Sequence, residues 1–194
     1  MKGGEKMKKL ILIISIFFIA GIILWLNLQN KNLSSQATIP VYKNMPDGFR
    51  GIKWGTKIDS LNDMKYLSEG FDGGLRYYTR KNDDLSIGKA KLEAIWYGFC
   101  LKNFCQVMIF SEGYENYTGL RDAVFEKYGK GHKEENKNNL EYSWTDSISI
   151  SLSYDDTKNK TILQIINFPL FYKMIDYQNE YDKQKAKEGA EKGF

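Results

Sequence analysis

A strict alternation of apolar and polar residues in the last third of the chain places the strongest constraint on its fold. Between residues 147 and 154, serines alternate with Ile148, Ile150, Leu152 and Tyr154. Because successive side chains of a β-strand point to opposite faces, one face of this strand is buried and the other is wet. Such a strand is typical of an antiparallel sheet with a hydrophobic core on one side.

Five other segments have the aromatic and β-branched composition of strands. They are residues 75–79, 92–100, 104–110, 140–144 and 161–168. Two segments instead repeat apolar residues at helical spacing. The first is predicted from Thr56, as N-cap, to about Leu67; the second spans residues 117–128, with Asn116 as N-cap and Gly129 at its end.

Each half of the chain is thus predicted to contain a helix followed by three strands. The triplet Leu75-x-Tyr77 in the first half corresponds in position to Leu140-x-Tyr142 in the second. We therefore predict an α+β fold whose antiparallel sheet comes from two pseudo-repeated α-β-β-β units, with the helices on one face. Coincidence between two ordinary meanders is the alternative. An N-terminal apolar helix and a C-terminal helix, beginning at Pro169, complete the prediction.

A 17-residue apolar run from Leu10 to Leu26 follows a lysine-rich start. Its length lies where cleaved signal peptides and membrane-spanning helices overlap. The triplet Ser35-Gln36-Ala37 could be cleaved, but its distance from Leu26 favours an uncleaved anchor. The positive-inside rule places the following residues outside the cytoplasmic membrane. We expect a domain anchored in the inner membrane and facing the periplasm or the outside, or one that is periplasmic or secreted after cleavage.

Composition divides the chain into four parts. We predict a signal anchor or signal peptide at 1–26, a polar linker at 27–47, an α+β globular domain at 48–181 and a charged tail at 182–194. The glycine-rich stretch before Met7 resembles a translated bacterial ribosome-binding site, so Met7, rather than Met1, is expected to be the start. The net charge of +4 comes from residues 1–37, which leaves the remainder balanced. A neutral domain has no general attraction for nucleic acid.

Cys100 and Cys105, the only cysteines, flank a predicted hairpin. If Lys102 and Asn103 form a two-residue loop, the cysteines are directly opposed and can form a disulfide in an oxidising compartment. Inert buried thiols are the alternative. A metal site lacks ligands, because His132 is the only histidine. We predict no cofactor, metal or catalytic residue at these positions.

The segment from Phe49 to Thr56 (FRGIKWGT) is the most distinctive string in the chain. One interpretation is structural, with apolar residues packing and glycines permitting a sharp turn. The other is recognition, with Arg50 and Trp54 as partner contacts, because Arg and Trp are enriched at binding hot spots. A set of strand aromatics could likewise form a binding platform or simply pack; it comprises Tyr77, Tyr78, Trp96, Tyr97, Phe99 and Trp144.

Three strings carry a resemblance to known proteins. They are F-R-G-I-x-W-G-T at 49–56, Ile87-Gly88-x-Ala90-x-Leu92 and Lys127-Tyr128-Gly129. Together they resemble an uncharacterised group of exported bacterial proteins. The helix-plus-three-strand unit is also similar in outline to BamE-type envelope lipoproteins and, when duplicated, to the β-lactamase inhibitory protein. These resemblances imply protein binding by a sheet face, without catalysis.

Two functional hypotheses follow. The first is a non-catalytic extracytoplasmic domain that is held at the cytoplasmic membrane and binds a protein or an envelope polymer. The alternative is a hydrolase that acts on glycan or peptide with carboxylates such as Glu93, Glu141 or Asp146. Familiar hydrolase and nucleotide motifs are missing from the sequence, so we expect binding rather than catalysis.

Overall fold

An eight-stranded antiparallel sheet dominates the computed structural model, which describes residues 45–70 and 74–192. In chain order the strands are β1 (Gly48–Phe49), β2 (Ile52–Lys53), β3 (Met64–Glu69), β4 (Leu75–Arg80), β5 (Ser86–Ile87), β6 (Ala90–Lys91), β7 (Ala94–Cys100), β8 (Asn103–Glu112), β9 (His132–Asn136), β10 (Asn139–Thr145), β11 (Ile148–Asp155) and β12 (Lys160–Asn167). The helices are a 3₁₀ turn (Ile58–Ser60), α1 (Tyr114–Tyr128) and α2 (Phe168–Lys192). The described residues fall in one compact unit.

The large sheet has the strand order β3-β4-β7-β8-β12-β11-β10-β9. Two four-stranded meanders therefore meet at β8 and β12, and a helix follows each of them. The predicted α+β class with a large antiparallel sheet is confirmed. The predicted order of a helix followed by three strands holds in the second half, where α1 precedes β10, β11 and β12 with β9 as an additional strand, and it fails in the first half.

The helix predicted from Thr56 to Leu67 is also wrong. Thr56 is held in the β8 ladder, since its carbonyl accepts a hydrogen bond from the Phe104 amide (2.8 Å). Only the 3₁₀ turn follows, and β3 begins at Met64. The apolar residues Ile58, Leu61 and Met64 still pack against the core. Residues three apart lie on the same side of a 3₁₀ turn, so the spacing of Ile58 and Leu61 fits the observed turn as well as it fits a helix.

The main core lies on one side of the sheet, called here the core face. Helix α1 covers part of it and buries Tyr117, Leu120 and Val124. The described residues that precede β3 cover another part, where the Trp54 ring stacks on Phe104 with centroids 4.8 Å apart. Alternate residues of the central strands fill the space between these layers: Ile95, Tyr97, Val107, Ile109, Ile150, Leu152, Leu163 and Ile165.

Helix α2 covers one end of the opposite side, called here the reverse face. Its Phe171 and Met174 are buried, as are Met108 and Ile166 on the strands that α2 contacts. Met108 and Ile166 alternate with core-face residues, so their side chains point the other way. The two helices thus lie on opposite faces. Of the two unit helices that were predicted to share one face, only the second forms, as α1 on the core face. The core face is already filled where β12 ends, and α2 begins there at Phe168 without a loop.

The hairpin between β7 and β8 has a register different from the predicted one. Cys100 and Asn103 are Cα partners, so the two-residue turn is Leu101-Lys102, one position earlier than expected. Both turn residues have positive φ, 47° and 70°. That geometry matches the twist of a tight hairpin, and the Asn103 side chain donates to the Leu101 carbonyl at 2.9 Å.

A bulge brings the two cysteines together despite this shift. Phe99 pairs with Phe104 while Gly98 pairs with Gln106, which leaves Cys105 as the extra residue on β8. The sulfur atoms of Cys100 and Cys105 are 2.12 Å apart and their Cα atoms 5.7 Å apart. The predicted cysteine pair is therefore confirmed at disulfide distance.

Several predictions concern residues that the structure does not describe. The signal or anchor at 1–26, the linker as far as residue 44 and the choice between Met1 and Met7 lie outside the described residues. Across 45–70 and 74–192, none of the helices combines the length and apolar character that a membrane crossing requires. Helix α2 extends through residue 192, and its side chains from Asn179 to Gly189 are exposed.

Thr161 is a buried polar residue in the core. It is 1% exposed, and its hydroxyl oxygen has no hydrogen-bond partner among the described residues. We expect Thr161→Val to raise the free energy of unfolding by about 1 kcal/mol, because an unpaired buried hydroxyl is replaced by a methyl group. Urea denaturation followed by circular dichroism measures the change. The exposed Thr145→Val is the control, and a destabilised Thr161→Val variant would contradict the expectation.

Candidate functional site

The part of the reverse face that α2 leaves uncovered is a candidate binding surface. Burial decreases along each central strand as it leaves α2: Met108 is buried whereas Phe110 is partly exposed, and Ile166 is buried whereas Gln164 is partly exposed. Six partly exposed reverse-face side chains define this surface, called here the open face: Trp96, Phe110, Ser151, Ser153, Ile162 and Gln164.

The strand register brings these side chains into two adjacent rows. Phe110 pairs with Ile162, which pairs with Ser153. In the next row Trp96 and Gln164 both flank Met108, and Gln164 pairs with Ser151. The open face is thus aromatic on the side of β7 and β8 and carries hydroxyl and amide groups on the side of β12 and β11.

The aromatic side of the open face is held by ring contacts. The Trp96 ring lies 4.6 Å from Phe110 and 5.7 Å from Tyr77, measured between centroids. The Tyr77 hydroxyl donates to Gln106 Oε1 at 3.3 Å. Burial raises the pKa of Tyr77, so its phenol stays protonated. The rings therefore present a fixed apolar surface that stays uncharged.

The six strand aromatics that were considered as a binding platform do not lie on one face of the sheet, because side chains alternate between the two faces along each strand. Tyr77 and Trp96 lie on the reverse face, and the remaining members belong to or pack against the core-face cluster: Tyr78, Tyr97, Phe99 and Trp144. Phe110, Ile162 and Gln164 were not predicted to be surface residues. The serine alternation at 147–154 was the available signal, because it marks the wet side of β11.

Arg50 lies in a network of hydrogen bonds within the chain. Its guanidinium contacts Asp83 Oδ1 at 2.5 Å, donates to the Ser86 carbonyl at 2.8 Å and also bonds the Asp84 carbonyl. The Tyr97 hydroxyl donates to the other Asp83 oxygen at 2.7 Å. Burial, then the bond to Asp83, raises the pKa of Tyr97. The turn between β1 and β2 is thereby fastened to the loop before β5.

A second ion pair lies next to this network. Arg80 Nε contacts Asp63 Oδ2 at 2.5 Å, and Arg80 Nη1 donates to the Arg50 carbonyl at 3.1 Å. The hydrogen bond from Arg80 holds the pKa of Asp63 below its usual range. The Arg50 backbone, with φ of 48°, is therefore supported as well as its side chain.

Trp54 has both its ring and its indole nitrogen engaged. The ring stacks on Phe104, and Nε1 donates to the Pro46 carbonyl at 2.7 Å. The side chain is partly buried. For Arg50 and Trp54 alike, every contact described here is internal to the chain, and a role in partner contact stays a prediction.

The carboxylates of the hydrolase hypothesis lie far apart. Glu93, before β7, and Glu141, on β10, are separated by four strand spacings, or about 20 Å. Asp146 lies in the turn after β10, five residues from Glu141 and about 17 Å along the strand direction. Paired glycosidase carboxylates are only about 5–10 Å apart. The structure does not bring these three side chains together.

Two closer pairs of carboxylates occupy exposed positions. Lys160 Nζ donates to Glu93 Oε1 at 2.8 Å and to Glu112 Oε2 at 2.6 Å, and its bond lowers the pKa of Glu112. Glu141 pairs across the strands with Glu134. Desolvation, then the charge of Glu134, raises the pKa of Glu141. All five side chains of β9 are exposed, however, so this edge does not form an enclosed site.

No group of three or more His, Cys, Asp or Glu side chains suited to a metal ion occurs within 45–70 and 74–192. Comparison with known proteins gives no match to a family model, a curated protein or a solved structure. The resemblance to exported bacterial proteins and to BamE-type units therefore stays a prediction.

Proposed function

We propose that the chain is a non-catalytic extracytoplasmic domain that binds a partner, an envelope polymer or a protein, on the open face of its sheet. One observation carries the proposal: Trp96, Phe110 and Ile162 remain partly exposed in the middle of an eight-stranded sheet. Contiguous apolar surface of this kind marks interaction sites.

The chemistry of the open face supports binding. Aromatic rings offer a flat apolar surface at low entropic cost, and neighbouring hydroxyl and amide groups supply hydrogen bonds that fix orientation. Ser151, Ser153 and Gln164 lie beside the rings in register. An envelope polymer that has apolar ring faces and hydroxyl groups would match both halves of this surface.

Two features support a location outside the cytoplasm. The apolar run from Leu10 to Leu26 follows lysines in the order typical of exported or anchored proteins. The Cys100–Cys105 pair is at disulfide distance, and such bonds persist in oxidising compartments. The separation of Glu93, Glu141 and Asp146 gives the hydrolase alternative no comparable support.

A photocrosslinking experiment in intact cells tests the open face. A photoreactive residue replaces Gln164 on the open face or, as the matched control, Gln184 on the exposed part of α2. We expect a discrete crosslinked species from position 164 and none from position 184. Gln164→Arg, combined with a photoreactive residue at Ser151, should abolish the crosslink, whereas Gln184→Arg should not. Equal crosslinking from 164 and 184, or none from 164, would contradict the proposal.

A further inference from the structure

A groove lies on the core-face side of the sheet, at the end that carries the β7–β8 turn. Its volume is about 180 Å³. It is lined by Gly74, Arg76, Tyr78, Phe99, Leu101 and Lys102. Arg76 and Tyr78 alternate along β4 with reverse-face residues, so the groove and the open face are on opposite sides of the sheet. No pattern in the sequence indicates this groove.

The aromatic walls of the groove are fixed by packing. The Tyr78 ring meets Phe99 edge-on with centroids 5.2 Å apart, and it meets Tyr66 in the same way at 5.7 Å. Phe99 is 1% exposed and forms the floor. A flat ring that enters the groove would therefore contact aromatic side chains that are already ordered.

The turn that forms the other wall is also held in place. The Leu101 amide donates to the Gly74 carbonyl at 2.8 Å, and the Lys102 carbonyl accepts from the Ile58 amide at 2.9 Å. The Cys100–Cys105 pair closes the base of the hairpin. Lys102 is thus presented from a constrained backbone, which reduces the entropic cost of using it to bind.

Two cations line the groove, and each has a loosely held partner. Arg76 lies 3.3 Å from Glu69, and Lys102 lies 3.4 Å from Asp59. All four side chains are about half to two-thirds exposed, and neither carboxylate is among the lining residues. Exposed pairs of this kind contribute little to stability, so an incoming anion can replace the carboxylates.

We propose that this groove is a second binding site, which takes a phosphate monoester carried on a flat ring. The ring packs against Tyr78 and Phe99, and the dianionic phosphate is held by Arg76 and Lys102. The volume suits one ring and its anionic group rather than a drug-sized ligand, which needs roughly 300 Å³ or more. The site is independent of the partner proposed for the open face.

Titration of the full-length chain in neutral-lipid nanodiscs with phenyl phosphate tests this site, with binding followed by saturation-transfer NMR. We expect saturable binding that weakens with salt. Arg76→Gln and Lys102→Gln should each raise the Kd about tenfold, and the double variant should abolish saturation. Two control variants should leave the Kd unchanged: Lys137→Gln, in the exposed turn between β9 and β10 at the opposite edge of the sheet, and Gln164→Arg, on the open face. Circular dichroism verifies that each variant is folded.

Two further ligands fix the chemistry. Benzyl alcohol carries the ring without the charge and should not saturate; equal affinity for it and for phenyl phosphate would overturn the proposal. Benzoate carries a carboxylate in place of the phosphate. Benzoate binding as tight as phenyl phosphate binding would overturn the assignment to a phosphate. A lack of saturable phenyl phosphate binding, or equal weakening by Lys137→Gln, would remove the site altogether. Loss of phenyl phosphate binding in Gln164→Arg would place the ligand on the open face and so overturn the groove.

Discussion

Arg50→Ala is expected to lower the free energy of unfolding by about 3 kcal/mol. The substitution leaves Asp83 as a carboxylate with a 10% exposed side chain and without its cation. Breaking one side of a largely buried ion pair typically costs about 3–5 kcal/mol, and the lower end applies because Arg50 is 21% exposed. The bonds to the Asp84 and Ser86 carbonyls are lost as well.

A double-mutant cycle separates the ion pair from the other contacts of Arg50. Asp83→Asn alone removes the charge but keeps a side chain that can accept from Tyr97. We expect the Arg50→Ala and Asp83→Asn effects to be strongly non-additive, because both remove the same interaction. Urea denaturation curves of the four proteins give the coupling free energy.

Arg76→Ala is the matched control for Arg50→Ala. Its ion pair with Glu69 is longer, 3.3 Å, and both side chains are about half exposed. We expect a change within about 0.5 kcal/mol. If Arg50→Ala were as stable as Arg76→Ala, the internal ion-pair role of Arg50 would be contradicted.

Local sequence patterns correctly predicted those elements in which a few neighbouring residues are enough to show which side chains are buried. The alternation at 147–154 places Ile148, Ile150, Leu152 and Tyr154 on the buried face of β11, as observed. The second predicted helix ends at Tyr128 as expected and begins at Tyr114, three residues before the predicted start. In both segments the period of the apolar residues differs clearly between helix and strand.

The wrong predictions lie where one sequence pattern fits two structures, or where contacts with residues distant in the chain determine the structure. The spacing of Ile58 and Leu61 fits a 3₁₀ turn as well as a helix, and pairing with β4 makes the chain extended from Met64 onward. The β7–β8 register depends on a bulge at Cys105 that no local composition marks.

The candidate sites depend on the same long-range pairing. The open face exists because α2 covers only one end of the reverse face, and a sequence pattern does not reveal which side of the sheet a helix will occupy. The groove requires β4, β7 and the β7–β8 turn to meet. Arg50 and Asp83 are 33 residues apart in the chain, and only the fold brings them within 2.5 Å.

Trp144 should show the largest effect among the strand aromatics. It is fully buried on the core face, and its Nε1 donates to the Gly129 carbonyl at 2.9 Å. We expect Trp144→Ala to lower the free energy of unfolding by about 4 kcal/mol, because the lost apolar contact leaves a cavity between α1 and β10. Trp144→Phe keeps most of the apolar contact and should cost about half as much, since the Gly129 carbonyl loses its donor.

Trp96→Ala is the matched comparison on the open face. Its ring is partly exposed, so the same truncation should cost only about 1–1.5 kcal/mol. Urea denaturation followed by circular dichroism measures all three variants, and Trp144→Phe remains informative if Trp144→Ala does not fold. Equal losses for Trp144→Ala and Trp96→Ala would mean that Trp96 is as deeply packed as Trp144. The open face would then lose the largest of its exposed rings, and the proposal that it binds a partner would fail with it.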